Sequence, residues 1–131
     1  MKSRESALRL KRFQEREKQR QVQQIETMIA EFDRMVAELD GQIAYEEKKA
    51  GIDDVTHFAY PTFAKAARQR RENLVTSVDE LKEQLVGAQE ALSEVAEELE
   101  KAELLEVRDG GKTRDSVAEG ESDYSRHAMI G

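Results

Sequence analysis

Two runs of apolar residues, each stepping alternately by three and four positions and separated by one short break between Gly51 and Pro61, constrain this chain more than anything else in it. The first run is Val22, Ile25, Ile29, Phe32, Val36, Leu39 and Ile43. The second is Leu74, Val78, Leu81, Leu85, Ala88, Leu92, Val95, Leu99 and Ala102. Residues three and four apart share one side of an α-helix, so each run marks a single stripe of a and d positions. A stripe of about two residues in seven is too narrow for a globular core and suits one helix lying alongside. The predicted fold is therefore all-α: a long antiparallel two-helix coiled-coil hairpin.

Composition agrees with this reading. A chain of 131 residues has room for one domain, yet 37% of it is charged and only 5% aromatic, with a mean hydropathy of -0.78, which excludes a large compact core. Abundant Glu, Lys, Arg, Gln, Ala and Leu with one proline and no tryptophan belong to long helices, and the periodicity separates the chain from simple disorder. The absence of cysteine excludes disulfides and thiolate metal sites. Residues 1–20 are basic without the apolar centre of a secretion signal, and nowhere do 18 apolar residues run together, so we expect no membrane span and a cytoplasmic location.

Local signals set the boundaries. Ser3 is a candidate N-cap for a first helix over about residues 3–50, and Gly51 suits the left-handed position beyond its end. The connection over 51–60 holds Asp53 and Asp54, which could cap a short helical turn, before Pro61 fixes the first turn of a second helix reaching about Val107. Gly41 and Gly87 fall outside the a and d positions and interrupt neither seam. From Arg108 the apolar period stops, and glycines, serines and mixed charges read as a flexible tail over 108–131. Within it Gly110-Gly111-Lys112-Thr113 matches the end of a P-loop, but Glu106 stands where the motif's first glycine belongs and no strand precedes it, so nucleotide binding is rejected.

Charge decides the direction of pairing. Residues 1–20 carry net +5 and residues 31–47 net -5; residues 64–72 carry +3 and residues 79–106 carry -8. Each helix thus runs from basic to acidic, and folding back at the break pairs opposites, whereas a parallel dimer would stack like on like. Exposed pairs are worth only about 0.2–1 kcal/mol each, so this term selects orientation more than it stabilises. With the fold-back centred near residue 55, Ile43 lies level with Ala67, Val22 with Ala88 and Leu8 with Ala102. The seam weakens toward the N-terminus: before Val22 its positions are Lys18, Glu15 and Lys11, with Leu8 the one apolar member, while Leu10 and Phe13 point out of phase. Stability is expected to stay marginal until a partner adds surface.

Nothing in the chain reads as catalytic. His57 and His127 have no second ligand at metal spacing and are read as solvated. Carboxylates along an open helix pair lack the desolvation that would separate their pKa values, so neither an enzyme nor a cofactor is expected. Tyr45, Phe58, Tyr60 and Phe63, four of the seven aromatics, gather at the hairpin tip beside Lys65, Arg68, Arg70 and Arg71. They either plug the turn or dock a partner, since aromatics and arginine dominate binding hot spots.

These residues carry a resemblance. The stretch Leu10-Lys11-Arg12-Phe13-Gln14-Glu15-Arg16-Glu17-Lys18 is similar to the opening helix of FliJ-type proteins of the bacterial flagellar type III export apparatus, in an alphaproteobacterial-like form. Leu39, Ile43 and Tyr45 on the first helix, with Tyr60-Pro61-Thr62-Phe63 opening the second, give another match, and the resemblance covers about residues 2–106. It implies a non-enzymatic hairpin, similar to the rotor-stalk subunit of rotary ATPases, that enters the export ATPase ring and promotes its assembly and activity. It also implies contact with the cytoplasmic domain of the export gate membrane protein, escort of export chaperones, and recruitment to the cytoplasmic face of the inner membrane at the flagellar base. Carried over by position, Tyr45 and Phe63 match aromatic gate-contact residues of the family, and Tyr60 beside them is a further gate-contact candidate. Ala67 and Leu74 occupy further positions of that face with changed side chains, and Lys49 stands where the family has an aromatic. We assign the ATPase contact to Leu10, Lys11, Arg12, Phe13 and Arg16.

Two other readings compete. A basic segment followed by heptads resembles a basic-zipper DNA-binding dimer, but this one lacks the asparagine and small residues that meet bases and contains Glu15 and Glu17, so no nucleic acid is expected. A generic coiled-coil chaperone or spacer would share the seam without the two candidate contact sets.

Overall fold

A computed structural model describes the backbone of residues 2–117 and the side chains of residues 3–108. The fold is all-α. Helix α1 runs from Lys2–Ala50 and helix α2 from Thr62–Val117, with no strand among the described residues. The helices carry the predicted periodicity into burial: Val22, Leu39 and Ile43 on α1 and Val78, Leu81 and Leu99 on α2 are buried, while Ile25, Ile29, Phe32, Val36, Leu74, Leu85, Leu92 and Val95 are half-buried. That mixture is what two helices achieve when each covers only one side of the other.

Helix α2 departs from expectation at its far end. It continues through Gly110 and Gly111 to Val117, ten residues past Val107. A glycine inside a helix costs about 1 kcal/mol relative to alanine but does not remove a backbone donor as proline does, so two glycines without a proline weaken the helix instead of ending it. The remainder of the expected tail, residues 118–131 with His127, lies outside the described residues.

The chain divides into two compact units, one formed by Gln21–Gly87 and the other by Met1–Arg20 with Ala88–Gly131. The first contains the connection. Gly51 adopts φ of 71°, and its amide donates to the Glu47 carbonyl at 2.8 Å and the Lys48 carbonyl at 3.3 Å, while the Ile52 amide reaches the Glu47 carbonyl at 3.2 Å. This is a complete Schellman stop, in which a left-handed glycine returns the chain onto the last open carbonyls of α1. Two tight turns follow, closed by His57 N–H to the Asp54 carbonyl and Tyr60 N–H to the His57 carbonyl, each at 3.0 Å. Asp54 caps the first of these single turns, as expected for one of the two aspartates, and no helix longer than that turn follows it there. Its carboxylate accepts from the Thr56 amide at 2.9 Å and the Thr56 hydroxyl at 2.7 Å, an Asx turn, and these two bonds hold its pKa below the ordinary aspartate value. The Lys65 amide donates to the Pro61 carbonyl at 3.0 Å, which puts Pro61 just outside α2 as its cap residue and not in its first turn.

Small side chains let the helices of this unit approach at the connection. Ala64 is fully buried, and Ala67 packs with Leu39 and Ile43 into a buried cluster against which Leu74 rests. Arg71 forms an ion pair with Asp40 on the facing helix. Above the cluster the Tyr60 hydroxyl donates to Glu47 at 2.7 Å, and Arg68 donates to the same carboxylate oxygen at 2.7 Å and to the Tyr60 hydroxyl at 2.8 Å. The guanidinium carbon lies 6.0 Å from the centre of the Tyr60 ring.

In the other unit the same helices run antiparallel, since rising positions on α1 meet falling positions on α2: Arg4 pairs with Glu106 at 3.9 Å, and Lys11 pairs with Glu98 at 3.4 Å. Arg12 meets the buried Glu103 at 3.2 Å. Leu8 and Leu99 are buried there, while Lys11, Glu15 and Lys18 occupy half-buried seam positions. Charged residues at those positions exchange apolar contact for long stems and solvated heads.

Candidate docking surfaces

The Gln21–Gly87 unit exposes aromatics that its own packing does not use. Tyr45 is 64% exposed and Phe63 56% exposed, and the two line one open hollow with Glu38, Gly41, Gln42 and Glu46. Tyr45 is one helical turn beyond Gly41, whose missing side chain leaves open space, since a Cβ built there meets nothing within 4 Å. Two carboxylates beside two rings make a surface for an apolar side chain with a cation at its edge.

The other three gate-contact candidates sit differently. Tyr60 and Ala67 are buried and Leu74 is half-buried against the core cluster. Tyr60 is further engaged by its hydroxyl, so these residues support the surface from below and only Tyr45 and Phe63 present themselves on it. Burial raises the Tyr60 pKa above that of a free phenol. Glu47 is held below the ordinary glutamate value chiefly by the Arg68 hydrogen bond and then by that of Tyr60, and Arg68 is raised above its ordinary value by Glu47 first and Tyr60 second.

The tip carries a residue that the sequence reading grouped with the others and that stands apart. Phe58 is 97% exposed, stacked on His57 with ring centres 4.8 Å apart and planes at 21°. His57 Nδ1 accepts from the Ala59 amide at 3.0 Å, a local bond that fixes the imidazole under the phenyl ring. The nature of the residues pointed to the tip; which ring would be buried depended on turns that spacing does not encode.

In the Met1–Arg20 and Ala88–Gly131 unit, Leu10 is 56% and Phe13 52% exposed, one turn apart on α1. Arg16 is exposed beside them. Lys11 and Arg12 instead face α2 and form the ion pairs described above, so of the ATPase-contact candidates Leu10, Phe13 and Arg16 remain outward. Sequence reading missed Leu104 and Leu105, both exposed: the two line one shallow hollow with Lys101 and Arg108, and Leu105 lines another with Arg4, Ala7 and Leu8. Their signal was two adjacent leucines next to a seam that can admit only one side of a helix.

Among the described residues no group of three His, Cys, Asp or Glu side chains could hold a metal ion, and no helix is long and apolar enough to cross a membrane. The described residues define an all-α protein of two helices, with apolar and aromatic side chains exposed in each unit. No protein-family model, curated protein or solved structure matches the chain.

Proposed function

We propose that this protein is a non-enzymatic component of the flagellar type III export apparatus, acting as a stalk-like coiled coil that promotes assembly and activity of the export ATPase, contacts the cytoplasmic domain of the export gate, and escorts export chaperones. It works in the cytoplasm and is recruited to the inner membrane at the flagellar base. The observation that carries this reading is the resemblance of residues 2–106 to FliJ-type proteins, taken with the exposure of Tyr45 and Phe63 among the gate-contact candidates and of Leu10, Phe13 and Arg16 among the residues we assign to the ATPase contact. Tyr45 and Phe63 share one hollow in one unit, and Leu10 and Phe13 share one outer face in the other. A hairpin of marginal burial gains by presenting such groups only where a partner covers them.

Substitution separates the two assignments. With purified gate cytoplasmic domain, Tyr45→Ala with Phe63→Ala should weaken binding by about tenfold or more, as expected for hot-spot aromatics, and leave ATPase stimulation unchanged. Leu10→Ala with Phe13→Ala should do the reverse. Wild-type affinity and stimulation in both folded double variants would refute the assignments.

A further inference from the structure

The seam of the Met1–Arg20 and Ala88–Gly131 unit is mismatched. Helix α2 brings Leu92, Val95, Leu99 and Ala102 to it at regular heptad steps. Helix α1 answers with Leu8 and then with Lys11, Glu15 and Lys18, all half-buried. Cross-helix polar contacts among the described residues of this unit include the pairs Arg4–Glu106, Lys11–Glu98 and Arg12–Glu103. In the Gln21–Gly87 unit the seam is apolar on both helices apart from half-buried Arg71, which pairs with Asp40, and it is closed by the Glu47, Tyr60 and Arg68 hydrogen bonds. The α1 segment therefore complements the charge of α2 but not its apolar stripe.

We infer that residues 92–106 of α2 form an acceptor site for an amphipathic helix, which the chain's own residues 4–18 occupy as an imperfect substitute. The occupant is a helix from a partner protein with apolar residues at its a and d positions and basic residues beside them. Apolar core positions are demanded by Leu92, Val95 and Leu99. Basic flanks are demanded by charge, because residues 88–106 contain seven acids and one lysine. A cation must also replace Arg12 at Glu103, which is buried and costly to leave unpaired. The tether holds the native α1 segment at an effective concentration on the order of millimolar, so only a distinctly better-matched helix displaces it. This makes the mismatch a filter: polar or acidic helices lose to the resident segment.

The test uses the full-length chain and a labelled synthetic peptide of residues 3–24 carrying Lys11→Leu, Glu15→Leu and Lys18→Leu. Fluorescence anisotropy should show saturable binding, weaker by about tenfold or more for the native-sequence peptide and for a chain carrying the same three leucines in cis, whose own seam is then filled. Hydrogen exchange on the complex should show residues 92–106 staying protected while residues 8–18 of the chain lose protection. Far-UV circular dichroism checks that the cis variant keeps its helix content. Absence of saturable binding, equal binding to the cis-filled chain, or release of a segment other than 8–18 would each overturn the inference.

Discussion

Glu47, Tyr60 and Arg68 show how three residues separated by the connection can set the behaviour of the unit that contains it. One carboxylate oxygen accepts from both a phenol and a guanidinium, which favours the charged carboxylate and lowers its pKa. A depressed carboxylate contributes stability that is present above its unfolded value and lost as pH falls through its folded one. The raised phenol works at the other limb: its contribution is present below its ordinary value and lost as pH rises through the folded one. The thermal midpoint should therefore be highest between about pH 5 and pH 9, outside the ordinary titration ranges of both groups. Asp54, also depressed, adds to the acid limb, and Glu47→Gln should flatten part of that limb in a melt series. Parallel loss of stability in wild type and variant would show that the acid limb has another source. At the same scale, Ala64 is fully buried where the helices meet, so Ala64→Leu should cost about 1–3 kcal/mol in a urea titration through overpacking.

At the scale of elements, Gly51 and Gly87 make opposite predictions from the same residue type. Gly51 holds φ of 71° in the stop of α1, and Gly51→Ala should destabilise by about 1–2 kcal/mol because a Cβ is strained there. Gly87 lies inside α2, where an added Cβ meets nothing within 4 Å, so Gly87→Ala should stabilise by about 0.5–1 kcal/mol. Denaturant midpoints of the two variants on either side of wild type would check both. Both helices and their stripe were legible from Val22 to Ile43 and from Leu74 to Ala102, because a narrow apolar stripe is a strong signal with few solutions. Gly51 as a stop was legible for the same reason. A turn capped by Asp53 or Asp54 was legible from residue type, but the Glu47 clamp was not, since it depends on the path of a ten-residue connection rather than on period. Exposure of Tyr45 and Phe63 against burial of Tyr60 was hidden likewise: all four tip aromatics share a neighbourhood in sequence, and only the turn geometry sorts them. The end of the apolar period at Arg108 marks where the seam stops and not where α2 stops, because a helix can continue without a seam through glycines that keep their hydrogen-bond donors.

For the whole molecule, the two units differ in what holds them. One has apolar residues on both helices of its seam and a hydrogen-bonded clamp; the other relies on Leu8, Leu99 and ion pairs. Surface pairs weaken as salt screens them. Amides within residues 8–18 should therefore exchange faster than those within 32–43, and by a margin that widens at about 1 M salt, where the screening length falls to about 3 Å. Equal protection at both salt concentrations would place the stability elsewhere. A chain of this kind performs no chemistry of its own in the proposed account; it presents Tyr45 and Phe63 to one partner and Leu10 and Phe13 to another. The most direct measurement is the turnover of purified flagellar export ATPase with and without the full-length chain, read beside complex formation by analytical ultracentrifugation. The account predicts a complex and a rise in ATP hydrolysis that saturates with added chain. An ATPase that neither binds the chain nor changes its rate would contradict the central claim.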